Sequence, residues 1–103
     1  MSDPATFAEE LAACMGDRGF NLERLARESG VAKSTVHHWR AGLVQRPYGW
    51  ENLLKIAATM NLNRTQVNRL LRSADLPAVE HLAAGANHVE QHDLLKRWVG
   101  GRR

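Results

Sequence analysis

The sequence predicts an all-α fold, a five-helix unit followed by a short helical extension. Three observations carry that reading. Apolar residues recur at spacings of three and four, and nowhere alternate as a strand would require. Asparagine, aspartate and glycine fall where helices of ordinary length should begin and end. Between residues 21 and 42, two short helical stretches flank a tight turn.

The elements follow in order. Asp3 is placed to cap a first helix with Pro4 at its first position, where a missing N–H costs nothing. Phe7, Leu11 and Met15 then form an apolar stripe beside Ala8 and Ala12, and Gly16 and Gly19 should stop the helix. Asn21 caps a second helix, Leu22 to Ser29, with Phe20 positioned to pack on Leu25. Gly30 ends it by taking positive φ. After the turn SGVA, a third helix runs from Ala32 or Lys33 to about Ala41. The small Ala26 allows close approach, and Leu25, Val31, Val36 and Trp39 point to one core. This spacing is helix-turn-helix geometry.

A polar loop, LVQRPY, precedes a fourth helix opened by Gly49, with Leu53, Leu54, Ile56 and Ala57 inward. Asn63 or Thr65 caps a fifth, striped by Val67, Leu70 and Leu71 and ending near Ala74. Beyond it, AVEHLAA suggests a short helix broken by Gly85. HVEQHDLLKRWV offers Val89, Leu95, Trp98 and Val99 as an apolar edge, and the terminal GGRR reads as disordered. The division expected is a five-helix unit at 1–76, with its helix-turn-helix motif at about 21–42, and a helical extension at 77–103.

Composition narrows the function. A chain of 103 residues holds one small core and no deep cleft besides. Cys14 is the only cysteine, which excludes an internal disulfide and fits a reducing compartment. The start MSDPATFAEE lacks the basic and apolar regions of a signal peptide, and no apolar run is long enough to span a membrane. The cytoplasm is the expected location. The net charge is +3 with a pI near 9.6. The positive charge concentrates in one stretch: Arg18, Arg24, Arg27, Lys33, Arg40 and Arg46 stand against Glu23 and Glu28. That excess suits a polyanion and equally suits a solvated face.

The run NLERLARESGVAKSTVHHWRAG, followed by QRP and WENLLKIAATMNL, resembles the Cro and phage-repressor (lambda-repressor-like) class of helix-turn-helix regulators. The resemblance covers about residues 5 to 76. It implies that the third helix enters the major groove of double-stranded DNA as part of a homodimer, on the cell's nucleoid. Carried onto matching positions, it makes Lys33, Ser34, His37 and His38 the base-contacting residues. Asn21, Thr35, Arg46 and Tyr48 become the phosphate contacts. The side-chain chemistry agrees. Lysine donates to guanine, serine donates or accepts, and neutral histidine does both. Leu22 stands where such proteins often carry a phosphate-binding glutamine. Arg40 stands where an acid is common, which leaves it to reach DNA or to pair with Glu10 or Asp17. The implied function is transcriptional repression.

The same residues admit rival readings. His37 and His38 are poor metal ligands, because adjacent helical residues diverge by about 100°. His88 and His92 share a helical face, with His81 nearby, but lack thiolate partners, so neither metal nor other cofactor is expected. Cys14 borders the first stripe and reads as a structural thiol. Ser34, Thr35 and the histidines lack a G-x-S-x-G elbow or an orienting acid, so no enzyme is expected. Residues 78–103 could instead bind a protein partner, as in an antitoxin or a signalling adaptor. Trp98 accordingly has three destinations: its own domain, a homodimer interface or another protein.

Overall fold

The computed structural model describes residues 6–44, 47, 49–86 and 88–99, and among these it is all helix with no strand. Seven helices follow in order: α1 (Phe7–Arg18), α2 (Leu22–Ser29), α3 (Lys33–Arg40), α4 (Trp50–Thr59), α5 (Arg64–Ser73), α6 (Val79–Ala84) and α7 (Val89–Val99).

Local chemistry sets most of their ends. Thr6, rather than Asp3, caps α1. Its hydroxyl accepts from Glu9 N (3.1 Å) while the Glu9 carboxylate accepts from Thr6 N (2.9 Å), a reciprocal capping box. Asp3 and Pro4 lie outside the described residues. Gly16 does not stop α1, and the helix runs through it. A Cβ at Gly16 would meet nothing, so only intrinsic propensity opposes the helix there, by about 1 kcal/mol. The stop is Gly19, left-handed at φ +71°. Asn21 caps α2 by accepting from Arg24 N at 2.8 Å, and Gly30 closes it at φ +79°. A second capping box opens α5, with Asn63 accepting from Gln66 N (2.8 Å) and Gln66 accepting from Asn63 N (2.9 Å). The same Gln66 oxygen accepts from Arg18 at 2.8 Å and so ties α5 to α1.

The turn between α2 and α3 is braced by Ser29, whose hydroxyl accepts from Val31 N at 3.1 Å. Helix α3 has only two buried residues, Val36 and Trp39. Trp39 packs against Phe7 of α1 with ring centroids 5.6 Å apart. Helix α2 packs on α3 and α4, and α1 on α3 and α5. Phe20 lies half-buried at the edge of the core, its ring covered by the Arg24 guanidinium at 4.2 Å.

The carboxyl-terminal helices join the same core. Val79, Leu82, Leu95 and Trp98 belong to one cluster with residues of α1 to α5. Trp98 is 7% exposed, and its indole N–H donates to the Leu62 carbonyl at 2.8 Å. Of its three expected destinations, the structure shows the first. Beside it, Arg97 donates to the Ala58 carbonyl and to Asn61 Oδ1, each at 3.1 Å. The pair clamps the end of α4, where Asn61 is left-handed at φ +57°. Val89 departs from the expected apolar edge: it is 76% exposed, while Leu94 packs half-buried in its place. The terminal glycines and arginines lie outside the described residues.

Helix α6 receives its cap from another element. Ala78 has no capping side chain, and Asn68 of α5 accepts from Val79 N at 2.9 Å. Glu80 then accepts from Arg64 and Asn68, fixing α6 on α5.

Candidate nucleic-acid interface

Among the described residues no polar or charged side chain is buried, so the described polar groups lie on the surface. Helix α3 supplies one such polar surface. Val36 and Trp39 hold one face against α1 and α2, and the opposite face carries Ser34, His37, His38 and Ala41, all exposed. At 3.6 residues per turn these four form a single ridge. Lys33 is exposed at its amino-terminal shoulder and Arg40 at its flank. No described segment covers this ridge. The two imidazoles stand 5.9 Å apart, tilted by 49°.

Of the remaining expected contacts, Thr35 and Asn21 are described. Thr35 is half-buried and turned off the ridge, lining a groove of about 510 Å³ between α3 and the start of α4. His38, Trp39, Val44, Glu51 and Asn52 also border that groove. Asn21 is exposed, but its Oδ1 is committed to the α2 cap, which leaves its amide N–H groups as the outward donors. Arg46 and Tyr48 lie outside the described residues. Helix α3 has Ala32 as its N-cap and no capping side-chain hydrogen bond.

Sequence reasoning missed Asn52 and Ala41. Asn52 reaches the groove only because α4 folds back beside α3, which no local pattern announces. Ala41 was visible seven residues after Ser34, one further position along the stripe. Arg40 makes no ion pair with Glu10 or Asp17 among the described residues, and its side chain is exposed.

A ridge of polar side chains on the second helix of a tight two-helix turn is the geometry that inserts into a major groove. A family model for the Cro/C1-type helix-turn-helix DNA-binding domain matches residues 10–63, from within α1 to the start of α5. The chain belongs to the Cro/C1-type helix-turn-helix family. No curated protein and no solved structure matches it significantly. The Cro/C1-type assignment makes this a DNA-binding, non-enzymatic domain.

No group of three His, Cys, Asp or Glu residues is placed to hold a metal ion among the described residues. Cys14 of this Cro/C1-type domain is buried, and burial pushes its thiol up from the ordinary value, with Glu10 and Asp17 adding to the effect. A thiol held protonated is a weak nucleophile and acts as packing. No helix among the described residues is long and apolar enough to cross a membrane.

Proposed function

We propose that the protein is a sequence-specific, double-stranded-DNA-binding transcriptional repressor. It acts as a homodimer with helix 32–41 in the major groove of each half-site. Lys33, Ser34, His37 and His38 read base edges; Asn21 and Thr35 meet phosphate, as do Arg46 and Tyr48 from the loop that follows α3. The observation that carries this reading is the uncovered ridge opposite Val36 and Trp39, built from groups that donate and accept hydrogen bonds. Residues 1–76 form the DNA-binding unit, and residues 77–103 an extension that braces it.

Repression follows by occlusion: a dimer seated over a promoter excludes polymerase without needing a second surface. Selection of bound duplexes from a random pool tests the proposal. The expected product is an inverted repeat with half-sites about one helical turn apart, or a multiple of it. A pool without an enriched motif at low salt overturns the reading. An enriched motif lacking symmetry overturns the dimer alone.

A partner-binding role for residues 78–103, as in an antitoxin or adaptor, has less support. Leu95 and Trp98 are already committed to the protein's own core, and Val89 is left as an isolated exposed apolar side chain.

A further inference from the structure

The ridge carries two adjacent imidazoles. His37 and His38 are both exposed, and neither ring nitrogen has a hydrogen-bond partner among the described residues. Imidazole is the side chain whose charge changes near neutral pH. Its hydrogen-bonding pattern changes as well, from one donor and one acceptor to two donors.

We propose, resting on the DNA-binding reading, that this pair makes recognition proton-coupled. Binding takes up protons at His37 and His38, and the bases preferred opposite them shift toward guanine as pH falls. The charged surroundings define the effect. On α3 itself the charged residues flanking the pair are Lys33 and Arg40. Across the groove from α4 comes Glu51, which borders the same cavity as His38 but accepts from Gln91 at 3.0 Å. Helices α1 and α2 pack on the opposite face of α3. Their charged groups are Glu9, Glu10, Asp17 and Arg18 on α1, with Glu23, Arg24, Arg27 and Glu28 on α2. None of them bonds either imidazole, and Arg24 and Glu28 pair with each other at 2.9 Å.

No described carboxylate is therefore bonded to the pair, and the DNA phosphates bring the dominant new negative charge. A polyanion beside an imidazole favours the protonated form. The complex consequently holds more protons than its separated parts. Its extra affinity is present at acid pH and is lost as pH rises through the imidazole range. The recognition code changes with it. A neutral ring can accept from adenine N6 or cytosine N4. An imidazolium can only donate, and guanine offers two acceptors in O6 and N7.

The test is duplex selection from a random pool at pH 6 and at pH 8, at equal ionic strength. Affinities for the selected sites are then measured across that range for the wild type and for a double variant, His37→Gln with His38→Gln. Glutamine keeps a donor and an acceptor but does not titrate. The wild type is expected to bind about tenfold more tightly, or better, at the acid end, with guanine enriched at the positions opposite α3. The double variant should show a flat profile and one site at both pH values, and its thermal melting checks that it is folded.

A pH-independent wild type that still binds a defined site overturns proton coupling and leaves the DNA-binding reading standing. Equal pH slopes in wild type and double variant also overturn it, by locating the protons elsewhere, for instance on His81, His88 or His92. Absence of binding at every pH overturns both.

Discussion

Helices α3 and α7 each bury two residues, yet they dispose their polar side chains in opposite ways. Helix α3 is anchored by Val36 and Trp39 and turns its hydrogen-bonding groups outward. Helix α7 is likewise anchored by two buried residues, Leu95 and Trp98, but its indole N–H is satisfied internally by Leu62. Its Arg97 also turns onto the protein itself, at Ala58 and Asn61. Polarity alone therefore does not mark a binding helix. Among the described residues helix α7 also exposes unpaired side chains, Glu90 and His92, but on different faces. What marks α3 is that its unpaired groups, Ser34, His37 and His38, fall together on one ridge.

The sharpest way to break this comparison is to truncate each helix at its most committed side chain. Trp98→Ala removes a buried ring and leaves the Leu62 carbonyl without its donor. It should cost about 3–5 kcal/mol in urea unfolding, a large fraction of a small domain's stability. Under native conditions the folded fraction should still select the same DNA site. A stability loss below about 1 kcal/mol would mean that α7 does not brace the core.

Lys33→Ala makes the opposite test. Its side chain is exposed, so unfolding stability should stay within about 0.5 kcal/mol. Discrimination at one base position should fall by about 1–3 kcal/mol if lysine reads guanine there. Competition binding with single-base variants of the selected site measures it. A uniform loss across all sequences, with a shallower salt slope, would instead make Lys33 a phosphate contact.

Between these extremes sits the turn that aims α3. Gly30 lies at φ +79°, and a Cβ there would meet nothing within 4 Å. Gly30→Ala therefore isolates the backbone cost of a left-handed residue, about 1–2 kcal/mol in unfolding stability. DNA affinity should fall less than for Lys33→Ala if the turn keeps its shape.

The same contrast explains what was readable in advance. Helices α2 to α5 were legible because their caps and stripes are local: Asn21 to Arg24, Asn63 to Gln66, Val36 to Trp39. The ridge of α3 was legible for the same reason, since two inward residues define the opposite face. The α1 start shows a signal passed over, because Thr6 and Glu9 stand at capping-box spacing. Gly16 misled because glycine is a weak breaker where the real stop, a left-handed residue, lies just beyond. The rest was not local. The Leu62 acceptor of Trp98 lies 36 residues away, Asn68 caps a helix 11 residues on, and Asn52 reaches the groove only through the packing of α4.

The smallest expected effect probes how α6 is held. Glu80 lies below its ordinary value of 4.5, first because its own backbone N–H bonds the carboxylate and next because Arg64 does. A carboxyl depressed in the folded state contributes stability that is fully present above the unfolded value. That contribution disappears as pH falls through the lower, folded one. Glu80→Gln should therefore be less stable than the wild type at pH 7, and the two should converge below pH 4.5. Because the carboxylate and Arg64 are 43% and 55% exposed, the difference should be small and shrink with added salt. Urea midpoints at pH 7 and pH 3, with and without salt, read it directly. A difference that persists at pH 3 would show that Glu80 acts through shape rather than charge. The attachment of α6 to α5 would then rest on Asn68 and the buried Val79 alone.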